Sequence, residues 1–355
     1  MRNKIAIIDV AKIYGGQQQV VERIVKLLED AYDSVVITCS KELYSRLNSL
    51  RNDKIKVFYI DKNKILLGFE IGKIIKNENP EIVIFNGQFE ANYSWLFPKR
   101  KKIFIRHKSL QQKSSIKRVV YKIEAIFFSD AIIVVNDFIK NQLPKCIHQK
   151  VKVIYNWYLN ELEDLNKNRE NNKPLIAKKS KLKVLYCGRL AKGKNVDIII
   201  EACINFKEFI DLHIVGDGEE GKELMRKYDK YENIYFHGFV NYEELHKYYK
   251  MADIYINMSS YEAFPLSVLD ALYYGVPMIL SKIPAHLYIS RNGEYALLVD
   301  INIEDVKNAL RKMIDDPLLR YNLSKKSALR VKDFSPEIAK NKLLELFNSL
   351  INHEK

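Results

Sequence analysis

The segment Ser259–Pro277 holds the residues best suited to chemistry in this chain. Its helical pattern, Leu266–Tyr274, begins directly after Pro265. Proline is favourable at a helix start because the N–H that it lacks would have no partner inside the helix. The pattern predicts an anion site at this helix start, formed by the backbone N–H groups of Phe264, Leu266 and Ser267.

Two carboxylates flank the predicted anion site. Glu262 lies in the loop before the helix, and Asp270 lies one turn inside it among apolar neighbours. A carboxylate does not bind phosphate, but it accepts well from hydroxyl groups, so this pair suits a sugar and a ribose. The alternative is that the two acids only complement the helix start or carry an exposed charge.

A group of cations follows the predicted strand Lys183–Cys187. Gly188 opens a strand-to-helix loop that also contains Arg189 and Lys194. Both side chains could reach a diphosphate, the arginine as a planar fork and the lysine as a point charge. Lys192 is a third candidate, and solvated loop cations are the alternative for the whole group.

Two glycine turns also follow predicted strands. Gly15 and Gly16 stand between the first strand and a helix, where a small residue would let a phosphate or a sugar approach the helix start. Gly216 lies in a second such turn, Val215–Gly218. Plain tight turns are the alternative in both places, and the full Gly-x-Gly-x-x-Gly fingerprint of dinucleotide enzymes is absent.

Short β-branched runs alternate with helical patterns such as Gln17–Glu29 and Ile65–Asn77 along the chain. The predicted strands of the first half are Lys4–Val10, Ser34–Cys39, Lys56–Ile60, Ile82–Asn86, Lys102–Ile105, Ala131–Val135 and Lys152–Tyr155. After the polar stretch Asn160–Lys181 they are Lys183–Cys187, Asp211–Val215, Ile234–His237, Ile254–Asn257, Met278–Leu280 and Ala296–Val299. Continuous apolar strands joined by helices indicate parallel sheets covered on both faces, so we predict an α/β fold with two Rossmann-like domains. Ligands of such sheets bind at the carboxyl ends of the strands, where the candidate residues lie.

Length and composition fit two packed domains. The chain has 355 residues, and 47% of them are apolar, which argues against disorder. Its four widely spaced cysteines are interpreted as reduced core residues rather than as zinc or disulfide partners. No apolar stretch approaches the length of about 20 residues that spans a bilayer, so we expect a cytoplasmic protein, with peripheral contact at the inner face of the cell membrane as a further option.

The net charge of +14 is confined to the first half of the chain. Residues 1–160 hold 28 Lys and Arg against 15 Asp and Glu, whereas the rest is close to neutral. A helical pattern over Ser115–Phe128 has one apolar face and a basic one, the latter with Lys113, Lys117, Arg118 and Lys122. These features fit either contact with anionic lipid or an ordinary surface helix packed on its domain.

Together the Gly15-Gly16 turn, Gly188-Arg-Leu with Lys194, Val215-Gly-Asp-Gly218 and the Glu-x7-acid motif from Glu262 to Asp270 resemble the retaining glycosyltransferases of the GT-B fold, in particular glycosyltransferase family 4. The resemblance covers almost the whole chain and implies two Rossmann-like domains that face a central cleft. It implies an acceptor-side domain over residues 1–158, a linker or loop over 159–181, a domain for the nucleotide sugar over 182–333, and a C-terminal helix over 334–355 that crosses back to the first domain.

The resemblance also assigns roles to residues. Arg189 and Lys194 would neutralise the donor diphosphate, Glu262 would bind the donor sugar, and Asp270 would bind the ribose. The remaining donor-side positions would be Gly15, Gly16, Gly188, Gly216, Val240 near the base, and Phe264, Pro265, Leu266 and Ser267 at the helix start. His107, which follows the strand Lys102–Ile105, would be a catalytic residue on the acceptor side, although a structural role is the alternative.

Three positions depart from the family pattern. The second acid of the motif is Asp270 where the family has Glu, the glycine expected after the lysine is Asn195, and Pro265 stands where a glycine is usual. The Asp270 side chain is one methylene shorter than Glu, so its ribose contact could run through a water, and Pro265 removes one backbone donor.

The expected activity is sugar transfer with retention, from a nucleoside-diphosphate sugar to a glycan or lipid-linked glycan. No tightly bound cofactor or metal is expected, because cations can meet the diphosphate charge and the chain has no Asp-x-Asp. A nucleotide-sugar epimerase or a phosphorylase of the same fold is the alternative. A nucleic-acid-binding protein is a third option, but its basic residues are not interleaved with stacking aromatics, so no nucleic-acid partner is expected.

Overall fold

The computed structural model describes residues 3–50, 52–62, 64–87, 92–107, 115–158 and 181–352. The predicted linker at 159–181 lies outside the described residues apart from Lys181. The chain divides into two compact units. One unit comprises Met1–Trp157 with Pro336–Lys355, and the other comprises Tyr158–Ser335.

The first unit is an alternation of strands and helices. In chain order its elements are β1 (Lys4–Asp9), α1 (Gly16–Leu28), β2 (Asp33–Thr38), α2 (Lys41–Ser49), β3 (Ile55–Tyr59), α3 (Lys64–Glu78), β4 (Ile82–Phe85), a 3-10 turn (Ser94–Leu96), β5 (Lys101–Arg106), α4 (Ser115–Phe127), β6 (Ala131–Val134), α5 (Asp137–Asn141), a 3-10 segment (Lys145–Lys150) and β7 (Val151–Val153). Its strands form one parallel sheet in the order β3-β2-β1-β4-β5-β6-β7.

Both faces of this sheet are covered, which is why its strands β4 and β6 are apolar along their whole length. In β1, Ile5 and Ile7 pack on the side of α1, whereas Ala6 and Ile8 pack on the side of α3. This alternation follows from the two-residue period of a strand. The C-terminal helix Pro336–Asn352 belongs to the α1 side, where Leu343 and Phe347 are buried.

The second unit repeats the pattern. Its elements are β8 (Leu182–Cys187), α6 (Val196–Ile204), β9 (Ile210–Val215), α7 (Gly221–Tyr228), β10 (Ile234–Gly238), α8 (Tyr242–Met251), β11 (Ile254–Asn257), α9 (Leu266–Tyr273), β12 (Met278–Ser281), α10 (Pro284–Ile289), β13 (Leu297–Val299), α11 (Ile303–Asp315), α12 (Pro317–Arg330) and a 3-10 turn (Val331–Phe334). The strands form a parallel sheet in the order β10-β9-β8-β11-β12-β13. The C-terminal helix Pro336–Asn352, α13, follows this unit in the chain.

The predicted α/β fold with two Rossmann-like domains is confirmed. Each predicted strand is present, with ends that differ by one or two residues: β1 ends at Asp9, and β7 covers Val151–Val153 rather than Lys152–Tyr155. The strand ends are set by pairing with neighbouring strands, which a single segment does not reveal.

One interpretation of the sequence is wrong in part. Cys39, Cys187 and Cys203 are buried, but Cys146 is exposed because it lies in the short 3-10 segment after α5. Several long apolar residues among the described side chains of α4 are exposed: Val119 is 56% exposed and Phe127 is 74% exposed. Glu124 and Ala125 are buried on the same helix. None of the helices in the described part of the chain is both long and apolar enough to cross a membrane.

Candidate functional site

The β8 and β9 loops of the second unit pack backbone against backbone. Gly188 N donates to Val215 O at 3.0 Å, and Leu190 N donates to Asp217 O at 3.0 Å. Gly216 has a φ of +131°, and a Cβ there would lie 1.9 Å from Gly188 O. The glycine at 216 is therefore required by the contact between the two loops, whatever ligand the loops bind.

Lys194 and Glu262 form an ion pair at the carboxyl ends of β8 and β11. Ser259 Oγ donates to the same carboxylate oxygen, Oε1, at 2.9 Å. The two charged side chains are 26% and 16% exposed, so both remain reachable from solvent. A cation and a hydrogen-bond acceptor thus stand side by side before helix α9.

Asn195 explains how the chain tolerates the missing glycine after Lys194. Its φ of +51° places it in the left-handed region, which asparagine adopts more readily than most residues. Its amide Nδ2 donates to Met258 O at 2.7 Å and to Ser260 Oγ at 2.8 Å. The side chain therefore fixes the β8 loop to the loop after β11, a tie that glycine could not make.

The start of helix α9 is held from within the unit. Phe264 is buried edge-on against Phe334, with ring centroids 5.4 Å apart, and Pro265 is the residue before the first helical position. Ser267 Oγ accepts from the hydroxyl of Tyr255 at 3.0 Å. Burial raises the pKa of Tyr255 well above its usual value, so this hydroxyl stays a donor. The contacts of Phe264 and Ser267 thereby fix the backbone on both sides of Leu266.

Asp270 is buried, which is contrary to the interpretation of an exposed charge. It is 7% exposed on the inner side of α9. Burial, together with a smaller effect of the nearby carboxylate of Asp270, raises the pKa of Cys187 to about 12. A carboxylate kept in such surroundings is costly unless it has hydrogen-bond donors as partners.

The remaining donor-side candidates lie at the rim of this unit. Arg189 is 60% exposed, and its Nε donates to Glu219 Oε2 at 3.0 Å. Val240 follows β10 and is half-buried. Among the described residues, no group of His, Cys, Asp and Glu has the arrangement of a metal site.

His286 is a buried residue that the sequence analysis missed. Its Nδ1 lies 3.0 Å from Ser281 O, and Ser281 Oγ donates to Ser259 O at 2.6 Å. Burial lowers the pKa of His286 to about 4, so the imidazole is neutral at pH 7. The chain of contacts leads through Ser259 to Glu262.

In the first unit, Gly15 and Gly16 stand where helix α1 begins. Gly15 is extended, with a φ of −171°, and a Cβ there would meet only Gln18 Oε1, at 3.9 Å. The fold of this unit therefore does not demand glycine at position 15. Gly216, in contrast, is required by the packing of its own unit. The glycine at position 15 agrees with a ligand that needs space at the start of α1.

His107 follows β5 and is linked to the ends of two neighbouring strands. Its Nε2 lies 2.8 Å from Asn86 Oδ1, after β4, and Asn86 Nδ2 donates to Asp9 Oδ2 at 2.6 Å, at the end of β1. Asp9 and Asn86 are fully buried and were not identified from the sequence. The signal that could have found them is a polar residue that ends an otherwise apolar strand.

The predicted site residues therefore fall into two groups. The second unit brings Gly188, Arg189, Lys194, Gly216, Glu262 and the α9 start to the carboxyl ends of β8, β9 and β11, with Val240 after β10. The first unit holds Gly15, Gly16 and His107 at the carboxyl ends of β1 and β5.

Comparison with known proteins identifies the family. The family model "Glycosyltransferase Family 4" matches residues 14–158, and the model "Glycosyl transferases group 1" matches residues 167–330. The amylovoran biosynthesis glycosyltransferase AmsD of Erwinia amylovora is 26% identical over 304 residues, which are 80% of this chain and 81% of AmsD. The O-antigen biosynthesis glycosyltransferase WbnH of Escherichia coli is 35% identical over 150 residues, 42% of this chain and 40% of WbnH.

The chain spans about half of the length of a further curated relative, from the cps region of Klebsiella pneumoniae. Among solved structures, Anabaena HepE in complex with UDP-glucose has a TM-score of 0.81 at 18% identity. The structural match covers 98% of this chain and 99% of the HepE chain. The two family models account for both units, and the structural similarity extends over both sheets. The chain thus belongs to the group 1 and family 4 glycosyltransferases and has the two Rossmann-like domains of the GT-B fold.

Proposed function

We propose that this glycosyltransferase transfers a sugar, with retention, from a nucleoside-diphosphate sugar to a glycan or lipid-linked glycan in cell-surface polysaccharide synthesis. The observation that carries the proposal is the Lys194–Glu262 pair beside the start of α9. Transfer needs a cation for the leaving diphosphate and an acceptor for sugar hydroxyls at neighbouring positions. The amylovoran and O-antigen relatives support the acceptor class, and the HepE complex supports a UDP-sugar donor.

On the donor side, Lys194 and Arg189 meet the diphosphate together with backbone N–H groups at the start of α9. Arg189 would exchange Glu219 for phosphate at little cost, because exposed ion pairs contribute only about 0–1 kcal/mol. Glu262 binds hydroxyls of the sugar, and Asp270 accepts from the ribose. Gly188 and Gly216 shape the loop backbone, and Val240 lies near the base.

Retention is proposed from the resemblance to the retaining glycosyltransferases of the GT-B fold, and the described acid that ends β1 is unsuited to act as an inverting base. Asp9 is fully buried, and its two oxygens accept from Gln18, Asn86 and the backbone of Ala11. A general base must be within reach of the proton that it removes. The anomeric configuration of the first product, read by proton NMR, tests this part: inversion would contradict it.

The diphosphate is proposed to be stabilised without a tightly bound metal. Cations and a helix start supply the positive charge that a divalent ion would otherwise bring. Transfer should continue in the presence of excess chelator. A loss of transfer that Mg²⁺ or Mn²⁺ restores would contradict this assignment.

The donor test compares nucleotides, and it compares Lys194 with a lysine of the second unit outside the candidate site. UDP, GDP and ADP, free and as sugar conjugates, are titrated against the chain, and the thermal midpoint is followed. Lys194→Ala should weaken binding of the preferred nucleoside diphosphate by about 1.5–3 kcal/mol, the range for hydrogen bonds to charged groups. Lys207→Ala, which removes an exposed lysine before the amino end of β9 and away from the candidate site, is the control. Equal affinities in the two variants would contradict the diphosphate assignment, and turnover of the donor without an acceptor would favour an epimerase.

On the acceptor side, we propose that the first unit, which holds Gly15, Gly16 and His107, receives the acceptor and contacts an anionic membrane through α4. Val119, Ile123 and Phe127 are exposed on this helix, beside the exposed cations Arg118 and Lys122. Apolar side chains and cations on one surface suit the boundary between acyl chains and anionic headgroups. The excess positive charge of residues 1–160 acts in the same direction, and the protein would be cytoplasmic and peripheral.

Co-sedimentation with vesicles of increasing anionic lipid content tests the membrane contact. The double variant Arg118→Gln/Lys122→Gln should bind less, by about 1 kcal/mol for each cation, and added salt should release the natural protein. Lys207→Gln/Lys222→Gln removes the same charge from exposed positions of the second unit and serves as the control. Binding that ignores lipid charge would contradict the assignment of α4, and no binding at all would indicate a soluble glycan acceptor.

A further inference from the structure

The ends of three neighbouring strands in the first unit are connected by side chains. Asp9 ends β1, Asn86 follows β4, and His107 follows β5, and β4 pairs with both other strands. The contacts run from Asp9 Oδ2 to Asn86 Nδ2 at 2.6 Å and from Asn86 Oδ1 to His107 Nε2 at 2.8 Å. Because Asp9 and Asn86 are fully buried, solvent does not compete for these bonds.

Among the residues that the structure describes, every donor to the carboxylate of Asp9 is neutral. Gln18 Nε2 donates to both oxygens at 3.0 Å, and Ala11 N donates to Oδ1 at 3.1 Å. Burial raises the pKa of Asp9, and the bonds from Gln18, Asn86 and Ala11 oppose that rise. A carboxyl group whose two oxygens both face donors is an acceptor on both sides.

The orientation of the Asn86 amide follows from its acceptors. Its Nδ2 faces Asp9 Oδ2 and also Gln17 O, at 3.1 Å, and neither oxygen can donate. Turning the amide over would bring its oxygen against these two acceptors. Gln17 Nε2 donates to Asn86 O at 2.6 Å and holds the two backbones together. Asn86 Oδ1 must therefore point to His107.

Because Asn86 Oδ1 can only accept, His107 Nε2 must carry a hydrogen. In the neutral imidazole the lone pair then belongs to Nδ1. We propose that Asp9 and Asn86 are positioning residues that hold His107 in the Nε2–H tautomer and fix the plane of its ring. The inference rests on the proposed function only in that it assigns His107 to the acceptor side of the transfer reaction.

The arrangement makes the three residues a directed series. Asp9 orients Asn86 by accepting, Asn86 orients His107 by accepting, and reversing either bond requires a donor where the structure has an acceptor. A hydrogen bond to one ring nitrogen decides which nitrogen of a histidine keeps its proton. Asp9→Asn places an amide donor where the carboxylate accepts, without a change in volume. Asn86→Ala removes the side chain that links Asp9 to His107.

The test reads the tautomer directly, by long-range proton–nitrogen correlation spectra of the full chain labelled in histidine. The His107 signals are assigned by their loss in His107→Gln. The natural protein should show a protonated Nε2 and an unprotonated Nδ1 above the pH at which the ring titrates. Asp9→Asn and Asn86→Ala should move both signals toward the mixture of tautomers of a free imidazole.

Asn136→Ala is the matched control. Asn136 is also a buried asparagine that follows a strand of this unit, and its Oδ1 caps α5 by accepting from Ile139 N at 2.7 Å. Its loss should lower the thermal midpoint but leave the His107 signals unchanged. A folded Asn86→Ala protein with the natural His107 signals would overturn the proposal, and natural signals in Asp9→Asn alone would overturn the role of Asp9.

Transfer kinetics separate the inference from the proposed function. Asp9→Asn and Asn86→Ala should lower kcat/KM for the acceptor by about 10–100-fold, the range for residues that orient a functional histidine, and leave nucleotide affinity unchanged. A changed tautomer with unchanged transfer would uphold the positioning roles and overturn the assignment of His107 to the reaction. A changed nucleotide affinity in both variants would indicate a merely structural role.

Discussion

Alanine substitutions at two glycines of the second unit can distinguish the cost of backbone strain from the cost of a steric clash. Gly193 and Gly216 both have positive φ, +84° and +131°. A Cβ at Gly193 would have no atom within 4 Å, whereas one at Gly216 would lie 1.9 Å from Gly188 O. Alanine at either position meets the strain of the left-handed region, but only alanine at 216 must also push two loops apart.

The magnitudes follow from this difference. The left-handed conformation costs a residue with a Cβ about 1–2 kcal/mol, so Gly193→Ala should lower the free energy of unfolding by that amount. In Gly216→Ala the new Cβ meets the backbone carbonyl oxygen of Gly188. A backbone atom cannot move away by a change of rotamer, as a side chain can. Overpacking adds about 1–3 kcal/mol to the strain, for a total of about 2–5 kcal/mol.

Thermal unfolding of the two variants measures the difference. For a unit of this size, 1 kcal/mol corresponds to a change of about 2–4 °C in midpoint, so Gly193→Ala should lose about 2–8 °C and Gly216→Ala clearly more. Urea unfolding gives the same comparison as free energies. Equal losses in the two variants would refute the reasoning that the β8 and β9 loops require glycine at 216 for their mutual packing.

Three further outcomes are expected. Glu262→Gln should reduce turnover while free nucleoside diphosphate still binds, and Asp270→Ala should weaken that nucleotide by about 1–3 kcal/mol; calorimetry and transfer assays would contradict the assignment if the two effects were exchanged. Arg330→Met should destabilise the second unit by about 1–3 kcal/mol in urea unfolding, because its guanidinium donates to the carbonyls of Tyr288 and Ile289 in a buried setting; an unchanged unfolding midpoint would contradict this. The same unit should lose stability as pH falls from about 6.5 toward 4. Burial lowers the pKa of His286 to about 4, so in this range the unfolded chain binds a proton that the folded chain does not. Unfolding at pH 7 and pH 5 should therefore show a smaller loss of stability in His286→Gln than in the natural protein.

The fold could be predicted because its determinants are local. Continuous apolar runs, as in β1 and β4, are sufficient to indicate a sheet covered on both faces. The candidate donor residues could also be predicted, because a ligand at a parallel sheet lies beyond the strand ends and those ends can be read from the sequence. Lys194 and Glu262, which are 68 residues apart in the chain, meet for this reason.

What could not be predicted depends on contacts between distant segments. The partner of Arg189 is Glu219, from the next loop, and no local pattern favours that pair over a phosphate. The exposure of Phe127 depends on how α4 is rotated on its sheet, and its helical periodicity is compatible with either orientation. Sequence periodicity identifies the apolar face of a helix but not what covers it.

The polar residues that the sequence analysis missed share one position and one function. Asn257 ends β11 and accepts from Ser259 N at 2.9 Å, and Ser281 ends β12 and donates to Ser259 O at 2.6 Å. Asp9 and Asn86 stand at the ends of β1 and β4 in the other sheet. In each sheet, a polar side chain at the end of a buried strand binds the loop of its own or of a neighbouring strand, because backbone groups there have left the sheet and need new partners. A polar residue directly after an apolar run of three to five residues is therefore evidence for a loop held in place, and in this chain those loops carry Glu262 and His107.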